Sequence, residues 1–200
     1  MYRHVLLVVF AFLFVLRVPQ TLAAPIHEAA RNGDVDRIEQ LLAQGADLEE
    51  RDQTQETPLI SAALAGQLDT VGSLISKGAD VHARNDRGLT ALHAAAYGGY
   101  PKIVRLLIEH GAMVNDAQNP FKITPLHAAA EEDQIEVVQV LIGAKANLES
   151  TEVNGYTPLS RAGFREHWDV VTALLKAGAS CQPAEKVGDW LFAECAARRK

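Results

Sequence analysis

TPLHAAAEED, residues Thr124 to Asp133, sets one histidine beside three acids. Alone it raises the question of a chemical site, but the same string recurs along the chain. It returns as PIHEAARNG from Pro25, TPLISAALAG from Thr57, TALHAAAYGG from Thr90 and TPLSRAGFRE from Thr157. Pro25, Pro58, Ala91, Pro125 and Pro158 mark equivalent positions, spaced by 33, 33, 34 and 33 residues. A second string follows each copy at a fixed offset: IEQLLAQGADL, VGSLISKGADV, VRLLIEHGAMV, VQVLIGAKANL and VTALLKAGASC. A period of this length marks an array in which each unit buries its apolar face against the next.

The residues of one unit specify two helices. Thr57, Thr90, Thr124 and Thr157 suit a helix cap, and Pro58, Pro125 and Pro158 follow at the first helical position, where a missing N–H costs nothing. Alanine pairs such as Ala62-Ala63 and Ala129-Ala130 are small enough for neighbouring units to approach closely. Gly33, Gly66 and Gly99 then supply the permissive backbone of a tight turn. The second helix carries apolar residues at helical spacing, such as Ile38, Leu41 and Leu42, or Val138, Leu141 and Ile142, so one face must be buried. Asp36, Asp69, Glu136 and Asp169 sit in its first turn, where negative charge suits the helix dipole, and Gly45, Gly78, Gly111 and Gly178 end it. Polar segments such as HARNDRGL and ESTEVNGY suit projecting hairpin turns.

On these motifs the chain resembles the ankyrin repeat family, from Ala24 to about Pro183. The resemblance implies an all-α ankyrin-repeat solenoid, built of helix-turn-helix units with hairpin loops. Five repeats are expected at approximately 24–52, 53–85, 86–118, 119–152 and 153–183, with a C-terminal capping helix over 184–200. Lys145 stands in the slot of the helix-ending glycine, and Asp133 and Glu166 stand in that of the turn glycine, which predicts local strain in repeats four and five. The extra residue of repeat four is expected within AQNPFKI, bulging or twisting that hairpin. Trp168 shares the slot of Val35, Leu68 and Ile135 and is expected in the core. The last segment, VGDWLFAECAARRK, aligns with the start of a sixth repeat and is read as the cap that shields the final apolar face.

The N-terminus reads MYRHVLLVVFAFLFVLRVPQTLAA: a basic start, an apolar run from Val5 to Leu16, then small residues. That order predicts a cleavable signal peptide over residues 1–23 and a repeat domain over 24–200. The run is shorter than the about 20 apolar residues of a spanning helix, so no membrane span is expected after cleavage. A membrane-tethered adaptor that keeps the segment is the alternative. Export follows, to the periplasm if the host is Gram-negative and otherwise as a secreted protein. Cleavage takes away Arg3 and Arg17 and no acid, moving the formal charge from −6 to −8. With only Arg198-Arg199-Lys200 as a tight basic cluster, the chain offers little to neutralise phosphates, so nucleic acid is not an expected partner.

No bond chemistry is expected. Equivalent residues of stacked repeats lie roughly 8–10 Å apart, whereas zinc ligands converge at about 2 Å from one ion. His27, His93 and His127 therefore cannot share a metal, and the family resemblance makes them structural, hydrogen-bonding between repeats. His27-Glu28-Ala29-Ala30-Arg31 lacks the second histidine of a zinc-peptidase motif. No G-x-S-x-G elbow, phosphate-cradling loop or Cys-x-x-Cys pair occurs. A hydrolytic enzyme is thus a remote alternative, with no catalytic residue, metal or cofactor to name. Cys181 and Cys195 fill core-facing slots, and export into an oxidising compartment makes them a candidate disulfide; two small buried thiols are the other reading.

The resemblance also implies a non-catalytic protein-binding or scaffolding module, acting through the concave face of hairpin tips and first helices on an unidentified protein. Two ladders map there: Glu56, Leu89, Ile123 and Tyr156 before the threonines, and Leu64, Tyr97, Glu131 and Phe164 after the alanine pairs. Asp86, Arg87, Phe121 and Asn154 at the tips, with Glu132 and Arg165 on the helices, extend the face. Large apolar anchors with a charged surround suit a protein interface. The chain is expected to act as a single copy.

Overall fold

The computed structural model describes residues 23–199. Residues 1–22, all but the last residue of the predicted leader, and Lys200 lie outside the described residues. Twelve helices and no strand occur among the described residues. They are α1 (Ala23–Asn32), α2 (Val35–Ala43), α3 (Pro58–Leu64), α4 (Leu68–Ser76), α5 (Ala91–Gly98), α6 (Pro101–Glu109), α7 (Pro125–Glu131), α8 (Ile135–Gly143), α9 (Pro158–Phe164), α10 (Trp168–Lys176), α11 (Ala184–Val187) and α12 (Asp189–Arg198). First helices stack in one row, α1 on α3, α3 on α5, α5 on α7 and α7 on α9. Second helices stack in another, from α2 through α4, α6 and α8 to α10. The chain is an all-α solenoid.

The local chemistry that starts each first helix is visible in its cap. Thr57, Thr124 and Thr157 are extended, and their hydroxyls accept from the N–H groups of Ile60, His127 and Ser160, each at 3.3 Å. Leu59, Leu92, Leu126 and Leu159 form the core between the two rows with Leu41, Leu74, Leu107, Leu141 and Leu174, all 0–1% exposed. Ala62, Ala63, Ala95, Ala96, Ala129 and Ala130 are fully buried where first helices meet. A larger side chain there would force neighbouring first helices apart.

Turn positions explain both the rule and its exceptions. Gly33, Gly66 and Gly99 have φ of 76–78°, and the following unit lays a side chain on each. A Cβ on Gly33 would stand 2.6 Å from Gln67 Oε1, and one on Gly66 would stand 2.5 Å from the Tyr100 ring. Asp133 and Glu166 hold the same turn at φ of +56° and +62°, and Lys145 ends α8 at +66°, as the strain expectation requires. At Asp133 the next unit presents His167, whose Nδ1 lies 3.8 Å from Asp133 Oδ1 and whose Nε2 donates to the Glu131 carbonyl.

Each hairpin tip closes on its own first polar side chain. Asp52 Oδ1 accepts from the N–H groups of Thr54 and Glu56, Asn85 Oδ1 from Arg87 and Leu89, Asn119 Oδ1 from Ile123, and the Glu152 carboxylate from Asn154 and Tyr156. All four closures span the same number of residues, so the extra residue of repeat four does not enlarge the tip. It falls between Val114 and Asn119, where other repeats have one residue fewer, at the Ala117-Gln118 end of AQNPFKI. There the buried Asp116 accepts from Gln118 N–H, and Arg84 Nη2 lies 2.8 Å from Asp116 Oδ2. Arg84 also donates to the Gly88 carbonyl, so one guanidinium stitches two neighbouring hairpins across the irregularity.

At the C-terminal end, Cys181 is bonded to Cys195, with Cα atoms 5.9 Å apart. The bond joins the segment after α10 to α12, whose Leu191 and Cys195 are buried. Trp168 packs against the edge of the core, as its slot-mates Leu68 and Ile135 do. It is only partly buried, T-shaped against Trp190 at 6.4 Å, with the Arg198 guanidinium 4.5 Å from its ring. Val35, Leu68 and Ile135 are half-buried in the same slot, so the slot borders the core, and at repeat five the cap packs onto it from outside.

Candidate protein-binding face

Behind the face lies a ladder of motif histidines. Nε2 of His27 lies 2.9 Å from the Glu56 carbonyl oxygen, that of His93 lies 3.0 Å from Ile123 O, and that of His127 lies 3.1 Å from Tyr156 O. A carbonyl can only accept, so each Nε2 carries a proton and donates it across the repeat junction. On the other side, Nδ1 of His93 and His127 accepts from the Thr90 and Thr124 N–H groups. Both imidazoles are thereby fixed as the neutral Nε2–H tautomer. Burial pushes the pKa of His93 and of His127 below the usual histidine range, consistent with that state. The struts hold Glu56, Ile123 and Tyr156 in place, and so position three of the four residues of one predicted ladder.

The strut fails at two junctions, with different outcomes. Ile60 replaces histidine in α3 and lines the surface groove described next. In α9, Ser160 donates to Gln182 Oε1, and Gln182 Nε2 donates 2.8 Å to the Gly155 carbonyl. A glutamine from the connection to the cap thus does the work of the missing imidazole.

A groove of about 590 Å³ runs over α3, α5 and α7. It brings together nine of the residues expected on the binding face: Glu56, Leu64, Asp86, Arg87, Leu89, Tyr97, Ile123, Glu131 and Glu132. Leu64 is 41% and Tyr97 52% exposed, while Leu89 and Ile123 are half-buried beneath them. Ala94 and Ala128 complete the apolar floor. These two alanines were missed because their motif position marks them as framework; only their partial exposure reveals them.

Five expected residues lie outside the groove lining. Phe121 projects from the repeat-four tip, its carbonyl accepting 2.9 Å from Val153 N–H. Val153, the most exposed large apolar side chain of the fifth tip, had no sequence signal. Asn154 donates to Glu152 and is used in closing its own turn. Tyr156 and Phe164 pair edge to face at 5.0 Å, with Lys186 Nζ 4.9 Å from the tyrosine ring, making a separate aromatic step at repeat five. Arg165 donates 2.8 Å to Glu131 Oε1, while Arg161 binds Oε2. Burial raises the Glu131 pKa, but the two guanidinium groups outweigh it and hold the carboxyl below its usual range. Glu131 is therefore a clamped anion between repeats rather than a free charge.

Among the described residues, no group of three or more His, Cys, Asp or Glu side chains is placed to hold a metal, and no helix is long and apolar enough to cross a membrane. A family model described as ankyrin repeats (3 copies) matches residues 26–118 and again 113–184. The chain belongs to the ankyrin repeat family, whose members are typically non-enzymatic protein-interaction modules. No curated protein matches the chain.

Proposed function

We propose that the chain is an exported, non-catalytic adaptor that grips a segment of another protein in the groove over α3, α5 and α7. The observation that carries this reading is the placing of Leu64 and Tyr97, large and half exposed, side by side above a rigid buried framework. Exposed apolar anchors of this kind, ringed by polar groups, are where binding energy concentrates. Glu56, Asp86 and Glu132 outnumber Arg87 on the rim, which favours an apolar segment flanked by lysine or arginine. Export rests on the leader-like N-terminus.

Crosslinking in the compartment where the protein resides, followed by capture, tests the reading. Leu64→Ala with Tyr97→Ala should lower capture of the partner by about a hundredfold, at about 1–2 kcal/mol or more for each anchor, with the melting temperature little changed. Capture unchanged by the pair of substitutions would overturn the groove as the binding site. The mass of the purified N-terminus reports on export: an end at Ala24 supports it, and an intact Met1 favours the tethered adaptor.

A further inference from the structure

α12 stands, slot for slot, where the first helix of a sixth repeat would stand. Phe192 corresponds to Leu59, Leu92, Leu126 and Leu159, and Ala193 to Ile60, His93, His127 and Ser160. Ala196 corresponds to Ala63, Ala96, Ala130 and Gly163. In every earlier repeat those slots are buried. In α12, Phe192 is 42% exposed, and Ala193 and Ala196 are exposed with it. The helix read as shielding the final apolar face presents an apolar surface of its own.

The charges around that surface point to what covers it. A helix turns about 100° per residue, so with Leu191 and Cys195 facing inward, Phe192, Ala193 and Ala196 share the outer side. Asp189 lies at one end of the same side and Arg199 at the other, both exposed. We propose that α12 packs antiparallel against α12 of a second copy of this chain. A two-fold axis at the level of Glu194 then sets Phe192 against Ala196 of the second copy, large against small. It also sets Asp189 against Arg199 of the second copy, twice over by symmetry. A parallel pair would oppose like charges at both ends. Head-to-tail stacking would bring α12 against α1, whose exposed Glu28, Arg31 and Asn32 give Phe192 no apolar seat.

The disulfide at Cys195 holds α12 on the solenoid, so the pairing surface is already formed in the single copy. A ten-residue helix covers less than the about 800 Å² per partner of a standard interface. The pair is therefore weak and concentration-dependent, replacing the single-copy expectation. It leaves the groove over α3, α5 and α7 uncovered, so pairing and partner capture are read separately.

Sedimentation equilibrium of the purified oxidised protein, from about 1 μM to about 1 mM, should show the mass rising from one copy to two and no further. Asp189→Arg and Arg199→Glu should each weaken pairing by about tenfold, since each turns two attractive contacts into two repulsive ones. An equimolar mixture of the two variants should pair about as well as the original, because each supplies the charge the other lost. Phe192→Glu should abolish pairing while circular dichroism stays unchanged. A one-copy mass throughout the range would overturn the proposal. So would growth beyond two copies, or charge variants that pair normally alone.

Discussion

At Lys145 the repeat asks for glycine and the sequence supplies a side chain with φ at +66°. A non-glycine residue in the left-handed region costs about 1–2 kcal/mol, and glycine gives back about 0.4–1 kcal/mol through its looser unfolded chain. Lys145→Gly should therefore stabilise the protein by about 0.5–1 kcal/mol in urea denaturation. Asp133→Gly should gain less, because Asp133 faces His167 across the junction. These departures were legible from the repeat alone, since an empty glycine slot in a fixed period can be read without coordinates. What Asp133 gains in exchange was not legible, because His167 is far from it in sequence and close only after stacking.

Among the elements, the cap shows where repeat logic stops being sufficient. Slot equivalence placed Cys181 and Cys195 in the core, but whether two core slots of adjacent units come within bonding reach depends on how α12 docks. It docks with their Cα atoms 5.9 Å apart. A loop closed over a separation of 14 residues contributes about 3 kcal/mol by restricting the unfolded chain. Replacing both cysteines by alanine should lower global stability by about that amount. Hydrogen exchange should then show the α12 amides losing protection first, while α3, α5 and α7 retain theirs, because terminal units of a solenoid open separately. Uniform loss of protection along all helices would contradict that order.

For the whole molecule, the junctions between repeats carry a common pH dependence. His93 and His127 are neutral struts with pKa values depressed by burial, while in the unfolded chain each titrates at about 6.5. Below that value the unfolded chain binds protons that the folded one refuses, so their contribution, complete above pH 6.5 or so, is lost as pH falls toward the native pKa values. Asp52 and Glu131 add a second, lower window. Burial raises both, but hydrogen bonds from Thr54 and Glu56, and the Arg161 and Arg165 ion pairs, outweigh it, so both sit below the usual carboxylate range. The urea midpoint should therefore fall between about pH 7 and about pH 5, and again below about pH 4. His127→Ala should flatten the upper step and cost about 1–3 kcal/mol at neutral pH, since the Tyr156 carbonyl loses its donor. An upper step as steep in the variant as in the original protein would contradict the strut role.

The sequence by itself determined the solenoid, because its period, its Thr-Pro caps and its alanine pairs are local features that permit one way of stacking. It also determined most of the groove lining, since variable slots in a regular repeat point to one surface. Tertiary structure decided which of those slots remain available. Glu131 is taken up by two arginines of the next repeat, and Tyr156 leans on Phe164 and Lys186. Only the docked cap could show Phe192 and Ala196 exposed in slots that every earlier repeat buries. The physical reason is the same in each case: a slot fixes a direction, and what lies in that direction belongs to the neighbouring unit.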